Sequence, residues 1–250
     1  GLGQSFVFVL VPPLARDLGL SEIQTSSIFA ISALAWATTS AFWGRTSDKY
    51  GRRNIAILGL VGYSISLIAL ITPLFLAQKN LLNVTLLFPA LVLGRLINGL
   101  VGSATRPASF AYIADITSKD NRTVKFARLE SSFLLGTVAG PLVGGFLFLI
   151  SNETPFYVFS GLAFIAAIGI YRKLDSVTKK KNTVKKLNKI NWYSSTIWPF
   201  LSFAAVLSLC QASLLQSIGF YITDLYSDFD NLPTLISMTF ALLSLSLIHI

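Results

Sequence analysis

Charged side chains are scarce in this sequence of 250 residues. Asp, Glu, Lys and Arg together make up 12%, about half the share that is usual in soluble domains, whereas hydrophobic residues make up 53%. A soluble fold of this length needs more polar surface than these residues provide, and a disordered chain would not carry 19 Phe residues. The composition therefore excludes a soluble globular protein and a disordered one.

Residues that build metal, redox and hydrolytic sites are also nearly absent. Cys210 is the single cysteine, which excludes an intramolecular disulfide and a cysteine-based zinc site. His249 is the single histidine. It lies in 245–250, which resembles the translation of a sequencing-library adaptor and is expected to be non-native. There is no GxSxG or HExxH motif and no pair of carboxylates within an apolar run. We therefore predict no enzyme activity, no metal site and no cofactor.

Apolar runs, by contrast, recur along the whole chain. Most are close to the roughly 20 residues with which a helix crosses the hydrocarbon core of a bilayer. The predicted spans are 2–15, 23–43, 54–76, 86–113, 132–150, 156–171, 197–222 and 233–250. The first begins without an initiator Met and the last stops inside an apolar run. We therefore interpret the chain as a fragment of an all-α polytopic membrane protein.

Basic residues lie in alternate loops. Sixteen of the 20 Lys and Arg residues lie in three loops, 44–53, 115–130 and 172–192. The alternate loops hold two, Arg16 and Lys79. By the positive-inside rule, the three basic loops face the cytoplasm. The formal net charge of +9 therefore reports membrane topology and does not indicate a nucleic-acid surface.

The longest polar segment divides the chain into two membrane domains. We predict an N-terminal six-helix bundle over 1–171, a basic cytoplasmic linker over 172–196 and the first two helices of a second bundle over 197–250. Apolar residues recur in the linker at helical spacing, which is compatible with a short helix on an anionic leaflet. A solvated connector explains the same residues.

The loop after the second span, GRTSDKYGRR, has a patterned composition. Gly44 and Gly51 permit close packing and a tight turn. Asp48 can cap a helix or pair with a cation. Arg52 and Arg53 can bind a carboxylate. An ordinary basic loop explains the arginines but not the spacing of the aspartate and the glycines.

A charge lies within the fourth span, in the pattern L-x-x-x-R-x-x-N-G-x-x-G. Arg95, Gly99 and Gly102 share one helix face, with Asn98 beside them. A bare arginine near mid-bilayer costs between about 3 and more than 10 kcal/mol, so Arg95 must face protein or a wet cavity. A charge in a polar pathway and a tether between helices both explain it, and we favour the pathway. Arg106, nearer the cytoplasm, is expected to extend towards the interface.

The fifth span contains GTVAGPLVGG. Gly136, Gly140 and Gly144 repeat every fourth residue, which creates a groove where another helix backbone can approach closely. Pro141 removes one backbone hydrogen bond and kinks the helix. Gly145 completes the pattern G-x-x-x-G-P-x-x-G-G. Faces of small residues are common in membrane helices, but a pattern that specifies five residues at fixed spacing is not.

These three motifs, in this order of spans, are typical of one transporter family. The chain resembles the major facilitator superfamily over 1–244 and is most similar to its twelve-helix drug–proton antiporter branch, which is tetracycline-efflux-like. Asn98 stands where glutamine is common. The resemblance implies a secondary active transporter in the plasma (inner) membrane of a bacterium. It would export a small organic compound or drug in exchange for protons.

The resemblance also implies roles for individual residues. Arg52 would pair with Asp115 in a conformation-sensitive latch, and Asp48 would meet the N-terminal end of a helix in the second half, which this fragment is expected to lack. The full latch is Gly44, Asp48, Gly51, Arg52, Arg53 and Asp115. The candidate pathway residues are Gln4, Arg95, Asn98, Gln211 and Gln216. The antiporter motif is Gly136, Gly140, Pro141, Gly144 and Gly145.

The proton-carrying residue is not visible in the sequence. No Asp or Glu lies well inside a predicted span, so the carrier is expected in the segments that precede or follow this fragment. Two other functions remain open. One is a sugar or metabolite carrier of the same superfamily without proton exchange, and the other is a non-transporting membrane scaffold of the same fold.

Overall fold

The structure, a computed structural model, describes residues 1–175, 198–226, 235–236, 238–240 and 242. The side chains of several α8 residues, Gln211 and Gln216 among them, lie outside this description, as do residues 245–250 and all but the first residues of the predicted linker. The helices of the described part are α1 (Leu2–Asp17), α2 (Glu22–Tyr50), α3 (Arg52–Gln78), α4 (Val84–Leu100), α5 (Thr105–Ile116), α6 (Arg122–Phe148), α7 (Thr154–Lys173) and α8 (Trp198–Leu225).

The all-α membrane fold is confirmed, and these helices coincide with the first seven predicted spans. Four helical segments are long and apolar enough to cross a membrane: α3, α4 together with α5, α6, and α7. α1, with 16 residues, is shorter than each of these four segments. The described residues therefore form a multi-pass bundle. We call the end that carries the basic loops its basic end.

Two helices extend further towards the basic end than the predicted spans. α2 continues to Tyr50, where Gly51 turns the chain with a φ of 92° that few other residues adopt. α6 begins at Arg122, ten residues before the predicted start of its span. Part of each predicted loop is therefore helix, and its side chains belong to the bundle.

The fourth span is interrupted. A 3-10 turn over Gly102–Ala104 separates α4 from α5. Pro107 lies just after this turn, and a proline ring clashes with the carbonyl four residues earlier, here that of Ser103. A tighter turn before the proline relieves that clash. The interruption therefore has a local cause in the sequence.

Helices of the first three spans pair with helices of the next three. α1 packs on α6, α2 on α4, and α3 on α7. Exchange of the two triplets maps the first contact onto the second and the third onto itself, as in 3+3 inverted repeats. The packing of α3 on α4 departs from this symmetry, because its counterpart, α1 on α7, is a minor contact. The buried core between them includes Phe6, Leu70 and Phe156. At the end opposite the basic loops, Arg16 Nη1 lies 2.7 Å from Asp224 Oδ1, which connects α1 to α8.

Glycines allow these helices to approach each other closely. A Cβ at Gly136 would lie 2.8 Å from the Leu2 nitrogen, and one at Gly140 would overlap the Leu2 carbonyl oxygen. A Cβ at Gly99 would lie 2.5 Å from the Ser32 carbonyl oxygen of α2. Only glycine fits such backbone contacts. The α1–α6 and α2–α4 pairs therefore both depend on glycine.

We expect Gly140→Ala to separate α1 from α6. The added methyl group overlaps the backbone of α1, so the free energy of unfolding should fall by about 1–3 kcal/mol or more. Gly161→Ala in α7 is the matched control, because a Cβ there meets nothing within 4 Å. The control should be neutral or more stable, since alanine favours helix. Membrane expression and thermal unfolding of both variants check this, and equal stability would contradict the assigned packing.

Candidate functional site

Arg52 is the centre of a polar cluster at the basic end, which we call the Arg52 cluster. Its side chain is buried, and its Nε donates a hydrogen bond to Asp115 Oδ2 at 3.0 Å. Nη1 donates to Ser47 Oγ at 2.6 Å and to the Gly44 carbonyl oxygen at 3.2 Å, and Nη2 donates to Asp48. The guanidinium therefore connects α2, α3 and α5.

The Gly51 turn explains why these groups meet. It reverses the chain between α2 and α3, so that Arg52 faces the last turn of α2 that Asp48 occupies. Asp115 reaches the same point from α5. The carboxylate of Asp48, half exposed, binds Arg52 here.

Arg53 lies outside the Arg52 cluster. Its Nη1 donates to the Leu174 carbonyl oxygen at 3.0 Å, just after the end of α7. Its guanidinium lies 5.2 Å from the centroid of the Tyr171 ring. Neighbouring arginines of one motif thus bind different helices, one to α2 and α5 and the other to α7.

Arg95 is buried in the interior of the bundle, with 1% of its surface exposed. Its guanidinium lies 5.7 Å from the ring centroid of Phe8 and 5.3 Å from that of Phe29. Among the described residues, neither Nε nor Nη1 has a hydrogen-bond partner. Its backbone carbonyl accepts a hydrogen bond from Ser32 Oγ at 2.8 Å. Aromatic faces, not acids, compensate this charge in the described part.

Other polar groups of the interior are also incompletely paired. Asn98 Nδ2 donates to Gln4 Oε1 at 3.4 Å, which connects α4 to α1. Asn98 Oδ1 and the Tyr63 hydroxyl are buried and have no partner within the described residues. A buried polar group without a partner costs about 1–3 kcal/mol. Tyr63 is not among the predicted pathway residues, although a tyrosine beside Gly62 within a predicted span is a usable signal.

A cavity of about 620 Å³ lies beside these groups. Gln4, Phe8, Trp36 and Tyr63 line one part of it. Arg95 and Asn98 are not among its lining residues; Asn98 contacts the lining residue Gln4, and Arg95 contacts the lining residue Phe8. Of the predicted pathway residues whose side chains the structure describes, Gln4 therefore lines the cavity, and Arg95 and Asn98 do not.

An ion pair in the cavity wall joins α5 to α6. Arg106 Nη2 donates to Glu130 Oε1 at 2.5 Å, and both side chains line the cavity. Glu130 lies in α6, eight residues after Arg122 and before the predicted start of its span. Glu130 is not among the predicted site residues, because the predicted span begins at 132 and leaves it in the preceding loop. One signal in the sequence is that Glu130 lies six residues before Gly136, close enough for the helix that carries the glycine motif to include it.

The glycine–proline motif of α6 lies on the helix face that contacts α1. Gly136 and Gly140 meet the backbone of Leu2, and Gly144 meets Phe6. Pro141 and Gly145 are buried with them, and Ser5 Oγ donates to the Gly136 carbonyl oxygen at 3.5 Å. All five specified positions are therefore interior. Within the described residues, no three His, Cys, Asp or Glu side chains cluster as metal ligands.

Comparison with known proteins identifies the family. The chain matches the model of the Major Facilitator Superfamily over residues 1–249. It belongs to that superfamily. Membership confirms the interpretation of the chain as a transporter-family protein and not an enzyme.

Two relatives in this superfamily carry drug-resistance names. The quinolone resistance protein NorA of Staphylococcus aureus is 30% identical over 198 residues, which cover 76% of this chain and 48% of NorA. The class B tetracycline resistance protein of Escherichia coli is 34% identical over 160 residues, 63% of this chain and 37% of that protein. The chain spans about half the length of the curated relatives it matches, or less.

We expect Arg52→Ala to destabilise the basic end, because it leaves the partly buried Asp115 carboxylate without its cation. Loss of one partner of a buried pair costs about 3 kcal/mol. Arg45→Ala, which removes an exposed arginine of α2 in the same motif, is the matched control and should change stability little. Thermal unfolding of both variants measures the difference.

The exchange variant Arg52→Asp with Asp115→Arg should recover part of that stability. Equal losses in Arg52→Ala and Arg45→Ala would show that the loop acts only through its total charge.

Proposed function

We propose that this chain is part of a transporter that exports small organic compounds across the plasma membrane in exchange for protons. The main support for this proposal is the complete glycine–proline motif of α6, because this motif accompanies antiport in the branch of the superfamily that the chain resembles. In this chain the motif forms the contact between α1 and α6. The resistance names of two relatives from bacteria support export of drugs.

The Arg52 cluster supplies a latch for alternating access. In superfamily carriers, two bundles rock about a central site. The cluster joins three helices at the basic end through charged hydrogen bonds, which are stronger than neutral ones. We assign it to one conformational state, in which it holds the basic end of this bundle together. The other state requires these bonds to rearrange.

Arg95, Asn98 and Gln4 supply the polar part of the pathway. A guanidinium in this environment is expensive to bury, and its Nε and Nη1 have no protein partner in the described part. A movement of Gln4 and Phe8, which line the cavity, would open these groups to water or a cargo group that supplies the missing hydrogen bonds. Gln211 and Gln216 of α8 remain pathway residues proposed on the sequence.

Accumulation of a fluorescent amphipathic compound in cells tests this function. Cells that express the full-length protein should retain less of the compound than cells with an empty vector. A protonophore should abolish the difference, because the exchange needs inward proton movement.

Each alternative gives a different result. Export that persists after proton collapse indicates a superfamily carrier without antiport. A protein that is inserted in the membrane but moves none of a panel of drugs and sugars indicates a scaffold. Either result contradicts the proposal.

A further inference from the structure

The 3-10 turn between α4 and α5 leaves a backbone carbonyl without its usual helical partner. In a continuous α-helix, the carbonyl of Leu100 accepts a hydrogen bond from the amide four residues later, that of Ala104. Here the Ala104 amide donates to the Val101 carbonyl oxygen at 3.0 Å. The Leu100 carbonyl at the end of α4 is therefore open to a partner from another helix.

Trp43 of α2 is that partner. Its indole Nε1, which can only donate, binds the Leu100 carbonyl oxygen at 2.6 Å. One turn earlier on α2, the Thr39 hydroxyl lies 3.0 Å from the Gly99 carbonyl oxygen and 2.8 Å from Ser103 Oγ. Side chains of α2 thus bind the backbone on one side of the turn and a side chain within it. These contacts stabilise the interrupted form of the helix.

α5 connects this turn to the Arg52 cluster. The helix begins at Thr105, directly after the turn, and Asp115 near its other end binds Arg52. Its contacts with α3 and with the Trp43 ring include Ala104 and Ala108. Alanine side chains are small and interlock little with their neighbours, so this packing offers little resistance to rotation of α5 about its axis.

Conversion of the turn to α-helix would rotate α5. A 3-10 helix turns by about 120° per residue and rises about 2.0 Å, whereas an α-helix turns by about 100° and rises about 1.5 Å. Conversion of three residues therefore rotates α5 by about 60° and moves it by about 1.5 Å along its axis. A rotation of this size takes the Asp115 carboxylate away from Arg52.

We propose that the turn over Gly102–Ala104 is a hinge, which converts between this 3-10 form and an α-helical form and thereby releases the Arg52 cluster. Trp43 is the positioning residue that holds the 3-10 form. A 3-10 stretch within a helix often marks such a hinge. Thr105 of α5 lines the cavity, so the same rotation changes the cavity wall. The role of the hinge in transport rests on the proposed function, whereas the rotation can be measured without transport.

Spin labels on α5 and α7 measure the rotation. They are attached to Ile116→Cys and Ile168→Cys, at two exposed positions, in full-length protein whose native cysteines, Cys210 included, are replaced by serine. Pulsed electron paramagnetic resonance gives the distances between the labels. Val124→Cys of α6 with Ile168→Cys is the reference pair, because it leaves out α5. Rotation should give the first pair a second distance that differs by several ångströms.

Trp43→Phe is the main variant, because it keeps an aromatic ring but lacks the N–H group. It should raise the population of the second distance roughly fivefold, as expected for the loss of one hydrogen bond from the 3-10 form. Thr39→Val should shift the distances in the same direction. Thr38→Val is its matched control, since the Thr38 hydroxyl bonds to carbonyls of α2 itself, and should leave them unchanged.

Pro107→Ala tests the hinge without a change in α2. It removes the ring that disfavours the α-helical form, so it should also raise the population of the second distance. Unchanged distances in both Trp43→Phe and Pro107→Ala would overturn the proposal. A role of Trp43 in packing alone predicts a lower melting temperature with equal broadening of the test and reference pairs, which would overturn it as well. Failure of the export function has a separate signature: no difference in drug accumulation, with these distance shifts intact.

Discussion

The structure depends on helix backbones that approach each other at glycines. In a bilayer, helices gain little from burial of apolar side chains, because lipid is equally apolar, so close backbone packing supplies much of the attraction. Here α6 meets α1 at Gly136 and Gly140, and α4 meets α2 at Gly99. The two helix pairs are equivalent under the internal repeat, but the glycines lie on α6 in one pair and on α4, the counterpart of α1, in the other. Close backbone packing at glycine therefore recurs in both pairs, although the glycines are not at corresponding positions.

Close packing also fixes the environment of the buried charge. Gly99 brings α4 against α2, and Arg95 lies one turn away on the same helix, between Phe8 of α1 and Phe29 of α2. The aromatic faces compensate part of the desolvation of the guanidinium, but Nε and Nη1 have no hydrogen-bond acceptor in the described structure. A charge held at this cost is rare in membrane helices unless it has a function.

Much of this arrangement could be predicted from the sequence because membrane helices obey simple rules. Length and hydropathy locate the spans, since every backbone group must be satisfied inside a helix. The family motif placed Arg52 with Asp115, and the structure shows their side chains 3.0 Å apart. The fixed spacing of glycines on α6 predicted a close helix contact, although the identity of the partner, α1, required the structure.

The cavity wall could not be predicted in the same way. A prediction from hydropathy ends a span where charged residues begin, so it places Glu130 in a loop. In the structure, α6 already begins at Arg122 and contains Glu130. The partner of Arg106 lies on another helix, and its identity depends on how α5 and α6 are rotated against each other. Tyr63 of α3 and Gln4 of α1 likewise line the same cavity only because Tyr63 packs against α1 at Gly3. Rotation of a helix about its axis is set by tertiary contacts, which a single sequence does not specify.

We propose that the buried charge of Arg95 serves transport and not folding. Efflux, membrane expression and thermal stability of full-length Arg95→Ala and Arg95→Lys, measured side by side with wild type, test this role. We expect the alanine variant to be inserted and folded, since it loses a desolvation cost, but to export nothing. The lysine variant should be partly active, because an ammonium does not reproduce the planar five-donor guanidinium. Wild-type export by a well-expressed Arg95→Ala protein would contradict the account, as would a poorly inserted variant with normal export per folded molecule.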